Sequence, residues 1–305
     1  MTKTTEINQE TRYKLNNGLE IPIIGFGVYE IPAADTADLV YQALKEGYRH
    51  IDTAVGYRNQ AQAALGVRRF LNETGALRES VWCTTKLTNQ QQGWEETQKA
   101  LKEIAKDVAE AISYVDLVLL HSPKTSSRKR LDSWKVLEEA VIKPESSAIP
   151  IKAIGVSNFG VPHLQELLAA ARIKPVLNQL ELHPWLPRPE LRKFLKDNDI
   201  LAEAYSPLTQ GVKLQDPELL SLETQSGISK AELLLNWSFL QGFVVLVKSA
   251  KPKRILDNLK VLPKKGEDRK VFLSDDIWQA LDKPNSHDVV TWNKQDPTEF
   301  PIDIK

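Results

Sequence analysis

The chain has 305 residues, in which forty lysines and arginines balance forty aspartates and glutamates. A formal net charge of zero speaks against nucleic acid or an anionic membrane as the main partner, since both call for a cationic excess. A chain of this length buries about three quarters of its extended surface on folding, so a large core is available.

The opening "MTKTTEINQE" is polar and lacks the apolar centre of a signal peptide. The most apolar short run, "FVVLV" at 243–247, falls far short of a bilayer span. A lone cysteine, Cys83, rules out an intrachain disulfide and suits a reducing compartment. Together these predict a soluble cytoplasmic protein with no membrane partner.

After the polar start, "RYKLNNGLEIPI" places two short alternating runs around Asn16, Asn17 and Gly18, a hairpin signal. Eight apolar runs follow in order: "IIGFG", "YRHIDTA", "SVWCTTK", "VDLVLLHS", "IKAIGVSN", "PVLNQLELH", "ILAEAYS" and "FVVLVKS". Between them lie stretches such as "TADLVYQALKEG" and "WEETQKALKEIAKDVAEAI", with apolar residues at helical spacing. Alternating strands and helices imply parallel strands joined by crossovers. A doubly wound sheet expects a G-x-G-x-x-G turn after its first strand, but "GFGVYE" puts Glu30 where the third glycine belongs. Strand spacing of roughly thirty residues fits a closed (β/α)8 TIM barrel instead. No internal linker divides the chain, so 1–305 reads as one domain, with its core at about 12–262 and a helix and tail over 263–305. From about Ser286 the tail reads as irregular.

Active sites of such barrels sit at the C-terminal ends of the strands. The polar residues closing each run are Asp52, Lys86, His121, Ser157 with Asn158, Gln179 with Glu181, Tyr205 with Ser206, and Lys248 with Ser249; Tyr57 stands just past the second strand. A tyrosine hydroxyl ordinarily titrates near 10, and a neighbouring ammonium is expected to lower that. Asp52, Lys86 and Tyr57 then form a proton-donating relay, with neutral His121 polarising a carbonyl. A relay that only delivers a proton needs a separate hydride donor. "KSAKPKRILDN" suggests which one. Lys248, Ser249 and Arg254 at a helix start suit a 2′-phosphate, favouring NADPH over NADH. Tyr205 offers a ring face for its nicotinamide, and Asn158 and Gln179 suit the carboxamide.

The ordered blocks "GFG", "HIDTAVGYRN", "TTKL", "LLHSP", "IGVSNF", "NQLELHP", "AYSPL" and "KSAKPKRILDN" resemble the aldo-keto reductase family, particularly its fungal NADPH-dependent members, over roughly residues 12–262. The resemblance implies a barrel closed at its base by the N-terminal hairpin, binding NADPH without a Rossmann fold and reducing aldehydes or ketones. It implies that Asp52, Tyr57, Lys86 and His121 are the catalytic tetrad, with Tyr57 the general acid. It assigns Ser157, Asn158 and Gln179 to the carboxamide, Tyr205 to stacking, Ser206 and Leu208 to the pyrophosphate turn, Lys248, Ser249 and Arg254 to the 2′-phosphate, and Asn258 to adenine. Gly27, Val28 and Tyr29 fall on the first loop, and Val28, Tyr29, His121 and the tail's Trp292 line the substrate pocket. Aromatic or keto-ester carbonyls are the expected substrates, and a monomer or homodimer the expected state. The chain departs from the family pattern at Gln60, Ala64, Val247 and Asp257. Other readings are an NADPH-binding sensor resembling potassium-channel β-subunits, and a glycosidase using Glu181 and Glu203. A metal at His183 and Glu181 lacks a third ligand.

Overall fold

The computed structural model describes residues 2–304. Its strands are β1 (Lys3–Thr5), β2 (Arg12–Lys14), β3 (Glu20–Pro22), β4 (Ile24–Gly27), β5 (His50–Asp52), β6 (Trp82–Leu87), β7 (Val115–Leu120), β8 (Ile151–Ser157), β9 (Leu177–Glu181), β10 (Leu201–Tyr205), β11 (Val244–Val247) and β12 (Val271–Leu273). The helices are α1 (Ala33–Glu46), α2 (Gln60–Thr74), α3 (Trp94–Ile112), α4 (Ser127–Ile142), α5 (Val161–Ala170), α6 (Pro189–Asp197), α7 (Pro217–Ser226), α8 (Lys230–Leu240), α9 (Pro252–Leu259) and α10 (Asp275–Leu281). Strands β4 to β11 close a parallel barrel in chain order. Among the described residues, no helix is long and apolar enough to cross a membrane.

Alternation along each strand sorts the side chains into two populations. Cys83, Val118, Leu120, Ile154, Val156, Val245 and Val247 face outwards and pack with helix residues such as Leu44, Ile104 and Leu137. Trp82, Leu117, Leu119, Ala153, Leu177 and Val244 point inwards and form a separate apolar cluster. The β2–β3 hairpin adds Leu15 and Ile21 to that inner cluster, and so plugs the N-terminal end. Two interior glycines make the packing feasible. A Cβ on Gly25 would lie 2.5 Å from Leu246 and 2.8 Å from His50, and one on Gly155 would lie 2.9 Å from the Leu177 carbonyl.

The polar start conceals one element. Residues Lys3–Thr5 pair antiparallel with Val271–Leu273, joining the two ends of the chain outside the barrel. The tail is irregular apart from short turns, yet it is tied down along its course. Val290 and Thr291 donate backbone N–H groups to Glu181, Arg188 grips Asp296 at 2.6 Å, and buried Arg130 donates to the Ile302 carbonyl at 2.6 Å. Thr298 lies so close over Gly160 that a Cβ there would meet its carbonyl oxygen at 2.0 Å.

Candidate active site

The inward positions nearest the C-terminal rim are polar. Asp52 ends β5, Lys86 lies near the end of β6, and His121 follows β7 directly. Lys86 is fully buried, and its ammonium uses all three of its hydrogens. It donates to Asp52 Oδ1 at 2.6 Å, to the Thr53 carbonyl at 2.9 Å and to the Tyr57 hydroxyl oxygen at 3.3 Å. Because that phenol accepts from Lys86, its own hydrogen is free to point into the cleft. The His121 ring meets Tyr57 edge-on, with centroids 5.6 Å apart.

The electrostatics correct one expectation. Burial, the charge of Asp52, and the neighbouring Tyr29 and Glu203 raise the Tyr57 pKa well above the ordinary phenol value. The Lys86 ammonium, whose shortest contact is to Asp52, does not outweigh burial and the Asp52 charge at the phenol. Burial and the Lys86 charge push His121 down to about 3, so it enters as a neutral ring.

The other candidates divide into groups. Ser157 donates to the Gln179 carbonyl at 2.8 Å. Asn158, at a left-handed φ of 64°, donates to the His121 carbonyl at 2.9 Å and accepts the Tyr205 hydroxyl at 2.8 Å. The Gln179 amide nitrogen donates to Asp52 at 2.9 Å and to Glu203 at 2.8 Å. Both its hydrogens are thereby used, which leaves only its oxygen for a ligand. Ser206 and Leu208 open a turn in which Ser206, Thr209 and Gln210 are all left-handed. Across the rim, Lys248, Ser249, Arg254 and Asn258 gather where β11 runs into α9. Among the described residues, Lys248 pairs with Glu30 at 3.9 Å with both exposed, and Arg254 makes no ion pair. The loop into α9 is therefore cationic, with Lys248 only loosely paired.

Of the proposed pocket residues, Tyr29 is 46% exposed and its ring stacks obliquely on Tyr57 at 5.0 Å. Trp292 stands edge-on to His121 at 6.1 Å and donates to the Tyr205 hydroxyl at 3.0 Å. Val28 lies differently from Tyr29 and Trp292. Its side chain is 0% exposed and packs within the main core, while its carbonyl accepts from Asn59. Trp185 is also buried, and its carbonyl anchors the tail at Asp288.

Two residues that the sequence left without a role also contribute. Asn59 donates to the carbonyls of Val28 and Ile31, fixing the loop that carries Tyr29. Gln60, where the family pattern has an acid, accepts from Thr85 and donates to Asp107 at 2.7 Å; a second carboxylate facing Asp107 would repel it. Glu181 and Glu203 are engaged by different partners. Glu181 is occupied by His183, Val290 and Thr291, whereas Glu203 sits deeper, on Gln179.

Residues 24–277 match the sequence profile described as the Aldo/keto reductase family. An uncharacterized oxidoreductase of Saccharomyces cerevisiae is 37% identical over 288 residues, covering 93% of this chain and 98% of its own. A glyoxal reductase of Bacillus subtilis is 39% identical over 246 residues, 80% of this chain and 84% of its own. Among solved structures, a Bombyx mori aldo-keto reductase in complex with NADP superposes with a TM-score of 0.79 at 26% identity, over 96% of this chain and 99% of that one.

Proposed function

The chain belongs to the aldo/keto reductase family of oxidoreductases, and from that premise we propose that it reduces aldehydes or ketones to alcohols with NADPH, Tyr57 delivering the proton. The observation that carries this reading is the three-way grip of Lys86 on Asp52, Thr53 and Tyr57, which aims the phenol's hydrogen at the cleft. The bound nicotinamide supplies the hydride. Tyr57 gives its proton to the oxygen on which charge develops; an alkoxide is a far stronger base than a phenolate, so a phenol with a raised pKa still donates. His121, kept neutral, donates a hydrogen bond to the same oxygen and orients the carbonyl. The Asp52–Lys86 pair holds the phenol in register through the transfer.

The residues present fit the cofactor. The cations Lys248, just before α9, and Arg254, in its first turn, suit a phosphate, and the Gln179 oxygen remains free to accept from a carboxamide. Ser157 and Asn158 supply the remaining polar groups on that side, with Tyr205 as the stacking ring and Ser206 and Leu208 at the diphosphate. Ser249 and Asn258 would hold the adenosine end. The aromatic series Tyr29, Tyr57, His121 and Trp292 favours aromatic or keto-ester carbonyls over highly polar sugars.

We read the chain as one domain, a monomer or homodimer of the cytoplasm. Burial pushes the Cys83 thiol up to about 12, which suits an inert packing role in a reducing compartment.

The test follows NADPH and NADH oxidation with a panel of aldehydes, keto esters and sugars, for wild type and Tyr57→Phe. Carbonyl-dependent oxidation that prefers NADPH is expected, with Y57F losing roughly 10²–10⁴-fold in kcat while its NADPH Kd holds. Tight NADPH binding without turnover of any carbonyl would refute the reaction and favour a sensing role.

A further inference from the structure

Inside the barrel, one layer below the tetrad, is a second carboxylate that the reaction does not consume. Glu203 on β10 pairs in register with Gln179 on β9 and Val244 on β11, and it is 0% exposed. Its Oε2 accepts from the Gln179 amide nitrogen at 2.8 Å, and the same nitrogen donates to Asp52 Oδ2 at 2.9 Å. Its Oε1 has no hydrogen-bond partner among the described residues, although His50 Nε2 lies 3.8 Å away. A second carboxylate this close to an ion-paired aspartate is costly unless it is neutral or serves a purpose.

We propose that Glu203 is a positioning residue of the reaction: by sharing the Gln179 amide with Asp52, it locks that amide with its oxygen towards the cleft and fixes Asp52 against Lys86, and its own charge state modulates Tyr57 from below. The proposal rests on the carbonyl-reduction reading. The charged and titratable groups facing Glu203 are Asp52 and His50 from β5 and Lys86 from β6, with Tyr57 above; Gln179 on β9 and Val244 and Val245 on β11 carry no charge. Burial and the Lys86 charge hold His50 down to about 3, so it offers no cation at working pH. Burial, followed by the charge of Asp52, pushes Glu203 up to about 8 against the opposing pull of Gln179 and Lys86. At neutral pH it is therefore largely protonated, and the layer below Tyr57 carries only the Asp52–Lys86 pair. Above that pH a negative charge appears under the phenol, opposing release of its proton.

The test compares wild type with Glu203→Gln, which keeps the shape and cannot ionise. The infrared carbonyl stretch of a buried protonated acid, identified as the band missing from E203Q, should fade in the wild type through an inflection near pH 8. The kcat profile for carbonyl reduction should turn down at the same inflection in the wild type and lack it in E203Q. A uniform fall in kcat across the pH range, or superimposable profiles, would reduce Glu203 to packing and overturn the proposal. So would the absence of a protonated-acid band. If the wild type turns over no carbonyl, the reaction reading itself has failed; turnover with unaltered profiles defeats this inference alone.

Discussion

The two ends of the barrel interior are built from the same eight strands and could hardly differ more in content. At the base, Leu15, Ile21, Trp82, Leu117, Leu177 and Val244 form a sealed apolar plug. Towards the C-terminal end, inward positions hold Asp52, Lys86, Gln179 and Glu203 out of water. Burying apolar surface stabilises at about 25 cal/mol per Å², whereas burying charges costs free energy that pairing only partly offsets. The base therefore contributes stability, and the rim holds a preorganised polar cluster at the barrel's expense. The contrast also explains why the hairpin sits where it does: it covers the end where water would be most harmful and leaves open the end where a substrate enters.

Substitutions at the two ends should separate these roles. Lys86→Met is expected to have the largest effect, because it leaves Asp52 buried without its cation. A loss of about 3–5 kcal/mol in urea unfolding, together with near-abolished carbonyl reduction, is the predicted outcome. A variant as stable as wild type would show that the rim is not strained in this way. Leu117→Ala at the base should cost about 2–5 kcal/mol while leaving KM for a carbonyl substrate unchanged; a shifted KM would mean that the plug and the site are coupled.

A smaller effect appears with pH. His50 and His121 are held down to about 3, whereas an unfolded histidine titrates near 6.5. Their depressed folded-state pKa values mean that their contribution to stability is present above about pH 6.5 and is lost as pH falls towards 3. Glu203 acts in the opposite sense. Its folded-state pKa is raised to about 8 from an unfolded value of about 4.3, so its contribution is full below about pH 4.3 and is lost as pH rises towards 8. Between pH 7 and pH 5 the wild type should lose stability with the histidine losses partly offset by Glu203, and E203Q should lose it more steeply. Parallel urea midpoints for the two proteins over that range would contradict the assignment of Glu203.

Much of this was legible without coordinates. Eight short apolar runs, separated by stretches of helical periodicity, pointed to the parallel barrel, and the polar residue ending each run named the rim: Asp52, Lys86, His121, Gln179, Tyr205 and Lys248. Those positions are set by local pattern, because a strand end reads as the point where an apolar run stops. What the sequence left undetermined is how the side chains share their hydrogen bonds. That Lys86 spends its shortest bond on Asp52, that Gln179 gives both hydrogens to carboxylates, and that Val28 turns into the core while Tyr29 turns out depend on strands far apart in sequence meeting in register. The pairing of β1 with β12 has no sequence signal for the same reason, since three polar residues carry no periodicity until a distant partner supplies their hydrogen bonds. Sequence determined which groups arrive at the rim; the closed barrel decided which of them share a proton, a charge or a bond.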